Sequence, residues 1–200
     1  MAKYHHGDLR RQLLELASEI AAEYGTEAVT LRELARKANV SHSAPVHHFK
    51  SRKNLLTELA TQGFNLLNAT LEPHQGNIYD MGVAYVLWAV EHPGFYTVMW
   101  QPYSLDAQHH QLTNARDRSW SLMSRAVASN MTDQCEVAHT AQAQSGEQTR
   151  QVVRTNAYAA FSLVHGLSNL WLAGVLPQSD DRSKMVREVT RRLVFTSETD

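Results

Sequence analysis

Cysteine is almost missing from these 200 residues: Cys135 stands alone. That excludes an internal disulfide framework and any multi-cysteine zinc module. Neither sign of charge dominates, since 19 Lys and Arg face 20 Asp and Glu for a net charge of -1. The chain is no polycation, so any contact with a polyanion must come from a local patch. Glycine and proline are sparse, at 9 and 5. There is no Gly-rich phosphate loop, nucleophile elbow or His-Glu-x-x-His pattern, and nothing points to turnover or a cofactor. Residues 1–8 lack an apolar segment of the kind that opens a secretory signal, which predicts a cytoplasmic address. One stretch, Tyr158 to Leu176, has no formal charge and is about long enough to cross a bilayer. Ser162, His165, Gly166, Ser168, Asn169 and Gly174 interrupt it, so it predicts a helix buried in protein rather than a membrane span.

What is present is helical periodicity, with no run of strand-like alternation. Asp8 is expected to cap a first helix with the stripe Leu9, Leu13, Leu16, Ala17, Ile20, Ala21 and Tyr24, stopped by Gly25. Thr30 and Glu33 have the spacing of a capping box, each side chain satisfying the other's free backbone donor. Asn39-Val40-Ser41 reads as a tight turn, because Asn tolerates left-handed backbone. Ser41 is expected to cap a third helix reaching about His48, and Ser51 a long fourth one. Further helices are predicted over 79–91, 95–100, 105–131, 147–175 and 180–195, with a polar loop over 132–146. The fold class is all-α.

Two short helices joined by a tight turn make a helix-turn-helix, which can set its second helix in a DNA major groove. The free N–H groups after Ser41 offer a helix N-terminus to a phosphate oxygen. His42, Ser43 and Ala44 lie on the first turn, the part that reaches base edges. His47, His48, Lys50, Arg52 and Lys53 follow where phosphates would lie. The local charge excess is modest, so affinity calls for two copies. Simple solvated bundles of short helices share this pattern, and spacing alone leaves that alternative open.

The residues themselves narrow the choice. Thr30-Leu31-Arg32-Glu33-Leu34-Ala35, Asn39-Val40-Ser41, Ala44-Pro45, His48-Phe49-Lys50-Ser51-Arg52-Lys53 and Leu55-Leu56 resemble the DNA-binding domain of TetR/AcrR-type transcriptional regulators. His92-Pro93-Gly94-Phe95-Tyr96 and 161–167 are similar to a C-terminal ligand-binding domain of the same family. The resemblance implies a homodimer, a palindromic double-stranded operator and repression relieved by a small-molecule effector. It implies a helix-turn-helix domain over 1–52 and a ligand-binding and dimerisation domain over 53–200. The expected DNA contacts are Thr30, Arg32, Ser41, His42, Ser43, Ala44, His47, His48, Lys50 and Lys53. Val46 departs from the family, which often has a phosphate-binding Tyr there, and Asn39 stands where Gly is usual.

All four tryptophans lie beyond residue 80. Trp88, Phe95, Met99, Trp100, Trp120, Met123, Phe161 and His165 are the expected ligand-lining set, since such cavities are built from aromatic and apolar side chains. Ordinary core packing would use the same residue types. Leu163, Leu167, Leu170 and Trp171, with Val186, Val189 and Leu193, form apolar stripes too large for a monomer's surface and predict a twofold helical interface. Adjacent His pairs diverge by about 100° on a helix. Cys135 with His139 supplies only two ligands, so no metal site is expected. Two rival readings share these features: a helical enzyme or lipid carrier whose N-terminus merely imitates the motif, and a DNA-binding dimer without a ligand.

Overall fold

Helix boundaries follow local chemistry in most places, and the exceptions have identifiable causes. The computed structural model describes the backbone of residues 6–135, 146–176 and 181–192, with side chains except at 6–8 and 132–135. Among these residues there are nine α-helices and no strand. They are α1 (His6–Tyr24), α2 (Leu31–Lys37), α3 (Ser43–Phe49), α4 (Arg52–Leu71), α5 (Ile78–Glu91), α6 (Pro93–Met99), α7 (His110–Cys135), α8 (Gly146–Leu172) and α9 (Arg182–Thr190). None of the described helices is long and apolar enough to cross a membrane.

Several expected boundaries move. The chain is already helical at His6, so Asp8 lies inside α1 rather than at its cap. The helix expected from Leu105 starts at His110 instead. The cause is a local turn at Asp106, whose carboxylate accepts the Gln108 N–H at 3.2 Å and whose carbonyl accepts the His109 N–H at 3.0 Å. The Asp106 N–H in turn donates to the buried Thr57 hydroxyl at 2.9 Å. Of the predicted loop 132–146, residues 132–135 and Gly146 are helical, and 136–145 lie outside the described residues. The α8 terminus is built by Gly174 at φ 70°. Its N–H donates to the Trp171 carbonyl at 2.9 Å, and the Val175 N–H to Leu170 at 3.0 Å, the paired bonds that close a helix with a left-handed residue.

The chain packs as two compact units, residues 1–66 with 92–116, and residues 67–91 with 117–200. In the first, α1 buries Leu13, Ala17 and Ile20 completely and packs against α6. Leu34 of α2, Phe49 of α3 and Leu55, Leu56 and Leu59 of α4 are equally enclosed. Burying each such side chain is worth about 1.5–3 kcal/mol, so this unit has an ordinary apolar core despite its short helices. In the second unit α5 lies against α8 and α9. Gly82 lets them approach: a Cβ there would sit 3.2 Å from Thr190 and 3.3 Å from Val164. An Arg187–Asp80 ion pair ties α9 to α5 beside the fully buried Val186.

Candidate nucleic-acid interface

The interface starts from a cap. The Glu33 N–H donates to the Thr30 hydroxyl at 3.1 Å, opening α2 as expected. The reciprocal half of the capping box is not made. Both oxygens of Glu33 instead take the Arg36 guanidinium, at 2.8 and 2.6 Å. One turn along a helix, a planar fork of donors suits a carboxylate better than a single amide. Arg36 accordingly holds the Glu33 carboxyl below its ordinary pKa. α2 ends at Asn39, which takes φ 52°. The Asn39 N–H donates to Arg36 and the Val40 N–H to Ala35, the same left-handed closure that Gly174 provides elsewhere. Asparagine therefore does here what glycine usually does.

Ser41 does not cap α3. The helix begins at Ser43 behind His42, which makes no side-chain cap, and the Ser41 hydroxyl lies 3.0 Å from that of Ser43. Only the Ser41 carbonyl serves the helix start, accepting the Ala44 N–H at 3.0 Å. α3 thus starts one residue later than the sequence suggested.

Pro45 and Phe49, four residues apart, form the buried side of α3. The Arg10 guanidinium lies 5.6 Å from the Phe49 ring centre and pairs with Glu58 at 2.5 Å. The opposite side shows Ser43, Val46, His47 and Lys50 to solvent, with Ser41 and His42 exposed just ahead. Ala44 and His48 flank this face and are half-buried. Arg32 and Lys53 are exposed, whereas Thr30 is half-buried and committed to its cap. Arg52 turns out to be a brace. Its Nε donates to the Val29 carbonyl at 2.9 Å and its Nη2 to Thr26 at 2.8 Å, with Glu27 at 3.3 Å.

Lys50 follows directly on α3 at φ 62° and ψ -43°. The Ser51 N–H reaches back to the Phe49 carbonyl at 2.7 Å, closing a three-residue turn of the strained hand. No glycine relieves it. From Glu33 to Glu58 the sequence has no intervening acid, and among the described residues Lys50 and Lys53 pair with none. Lys50 and Lys53 therefore leave two unpaired positive charges beside the exposed face of α3, which favours a polyphosphate partner.

Known proteins carry the same architecture. The family described as "Bacterial regulatory proteins, tetR family" matches residues 13–59. "Tetracyclin repressor-like, C-terminal domain" matches residues 78–193, more than half the chain. This chain belongs to the TetR family. The HTH-type transcriptional regulator YobS of Bacillus subtilis is 28% identical to this TetR-family chain over 96 residues, 45% of the chain and 50% of YobS. The chain thus matches about half the length of that curated relative. A Rhodococcus sp. RHA1 protein of unknown function has 28% identity and a TM-score of 0.70, with 96% of this chain and 97% of that one covered. AibR, solved with isovaleryl coenzyme A and operator DNA, has the same fold at 14% identity, with a TM-score of 0.65 over 94% of this chain and 98% of that one.

The expected ligand-lining residues of this TetR-family protein fall into local groups. In the first unit, Phe95 and Met99 are buried on α6, and Met99 fills the space beside Gly63, its sulfur 2.6 Å from where a Cβ would stand. Trp100 meets Phe64 edge-on at 5.4 Å between ring centres. In the second, Trp88 is buried on α5, Trp120 tilts against Tyr158 at 4.8 Å, and Met123 is half-buried on α7. Phe161 stacks on His165 at 5.0 Å, and His165 Nδ1 lies 3.1 Å from the Tyr85 hydroxyl. Burial pushes the His165 pKa down, favouring the neutral ring. Tyr85 escaped the sequence reading because its partner is 80 residues away, and no periodicity signals such a pair. Among the described residues no group of three or more His, Cys, Asp or Glu could hold a metal; His139 lies outside them.

On α8 and α9 the expected interface residues divide by exposure. Leu170 is exposed and Leu163 and Val189 are half-buried. Leu167 and Trp171 are mostly enclosed within the chain, with Arg182 stacked on Trp171 at 5.6 Å. Val186 is fully enclosed and has no surface left for a second copy, and Leu193 lies outside the described residues. From Tyr158 onward α8 exposes Tyr158, Ala159, Ser162, Asn169, Leu170 and Leu172, none of them charged, whereas its first half exposes Glu147, Arg150 and Arg154.

Proposed function

We propose that this protein is a DNA-binding transcriptional regulator, a repressor that binds a palindromic operator as a homodimer and is released by a small, largely apolar ligand. The observation that carries it is the exposed face of α3, polar and basic in a stretch without acids, held on a buried Pro45–Phe49 side. Residues 1–52 form the DNA-reading domain, with Arg32, Ser43, His47, Lys50 and Lys53 in the outward positions. Phosphate contacts set register and supply affinity, and the α3 side chains discriminate bases. Residues 53–200 hold the effector and the dimer contact. The uncharged second half of α8, with Tyr158, Leu163 and Leu170, suits a self-complementary pairing of two copies. The aromatic groups around Phe161, His165 and Tyr85 suit an apolar effector with one hydrogen-bonding end. Release is a population shift, and moving a 99:1 mixture to 1:99 takes about 5.5 kcal/mol of differential binding. The protein acts in the cytoplasm, without catalysis.

A salt titration of duplex binding tests this reading. The logarithm of affinity should fall linearly with that of salt concentration, with a slope set by the phosphates neutralised. Absence of duplex binding, or a flat response, would return the chain to the helical enzyme or lipid-carrier class.

A further inference from the structure

Val46 is an exposed apolar side chain in the middle of a face that is otherwise polar. It is 46% exposed, and between Gly25 and Asn65 no other large apolar residue is so open. The core does not need it, because Pro45 and Phe49 already supply the buried side of α3. Its neighbours on the outer face are Ser43 and Lys50, one turn to either side, and His47. Those three can hydrogen-bond to bases or phosphates; Val46 cannot. It also cannot donate to a phosphate, so it contributes nothing to electrostatic anchoring.

A side chain of this kind has one natural partner on base edges. The C5-methyl of thymine is the apolar group presented in the major groove. A β-branched residue on a helix holds nearly a single rotamer, so its two methyls lose little freedom on contact. We infer that Val46 is a specificity-determining residue that packs on a thymine C5-methyl in each half of the operator. The inference rests on the DNA-binding reading given above and names the base that one residue of that surface selects.

Deoxyuridine substitution isolates the methyl group. A duplex is first selected from a randomised pool with the full-length protein, and each of its thymines is then replaced in turn by uracil. One thymine per half-site should be sensitive, with affinity falling about fourfold, the worth of one buried methyl-sized group. In Val46→Ala, which removes an exposed side chain and leaves the core intact, thymine and uracil at that position should bind nearly alike. An enriched duplex with no uracil-sensitive thymine, or a sensitivity that persists unchanged in Val46→Ala, overturns the inference while leaving DNA binding standing. A pool that yields no enriched duplex overturns both.

Discussion

Gly94 lies against the backbone of Ser18, so that a Cβ built on it would meet the Ser18 hydroxyl at 2.7 Å and the Ser18 carbonyl oxygen closer still. This contact lets α6 approach α1, and a carbonyl cannot step aside as a flexible side chain can. Gly94→Ala is therefore expected to destabilise the fold by at least about 1–3 kcal/mol, the usual cost of overpacking. Chemical denaturation of the two proteins measures it, and an unchanged midpoint would show that α6 has room.

Arg52 and Lys50 are close in sequence and should behave oppositely. Arg52→Gln strips the Val29 carbonyl of its donor and leaves the Thr26 carbonyl with the Val29 N–H alone, so stability should fall by about 1–3 kcal/mol. Lys50→Gly relieves a positive φ that a side chain rarely adopts, and stability should hold or rise by up to about 1 kcal/mol. The same change removes a cation, so duplex binding should weaken and its salt slope shrink by about one. Thermal melts and salt titrations of both variants separate brace from contact.

Thr30 and Glu33 test the half-made capping box. Thr30→Ala should cost about 1 kcal/mol, the typical value of a lost N-cap. Glu33→Gln disturbs only an exposed pair with Arg36, and its effect should be the smaller of the two. Glu33 titrates low in the folded state, so its contribution is present above the ordinary carboxylate range and is lost as pH falls through the lowered folded value. Equal destabilisation by both variants would restore the reciprocal cap.

His165 gives a pH dependence of the other kind. Its folded pKa lies below the ordinary histidine value because of burial, so the unfolded chain binds the proton more readily. Stability should decline as pH falls through the ordinary histidine range toward the lowered folded value, and His165→Gln should flatten that decline. Denaturation midpoints followed across the acidic range decide the matter. An identical slope in the variant would assign the effect elsewhere.

Leu170 is the exposed apolar residue through which the dimer proposal can be broken without opening the core. Leu170→Glu should shift sedimentation equilibrium toward monomer and weaken operator binding together, since each half-site alone binds weakly. A variant that stays dimeric would move the contact off this part of α8.

Local chemistry was legible without coordinates. Thr30 and Ser51 announce helix starts through their hydroxyls, and both accept the expected amide, Ser51 from Asn54 at 3.1 Å. Asn39 announces a left-handed turn and makes one. These features depend on residues within five positions of each other, so sequence order carries the necessary information. The family resemblance was legible for the same reason, because it rests on ordered identities across short helices.

Long-range chemistry was not legible. Arg52 looked like one more phosphate cation until carbonyls more than 20 residues away claimed it. Glu33 had two local partners of similar spacing, and the stronger fork of Arg36 won. Val186 belonged to an apolar stripe whose burial inside the chain no periodicity could distinguish from burial against a copy. By itself the sequence determined most of the helices, the caps at Thr30 and Ser51 and the class of protein, because these follow from short-range hydrogen bonding and pattern. Only the tertiary structure decided which charges reach solvent and which apolar faces are already spent, because burial is a property of packed neighbours that the chain order does not encode.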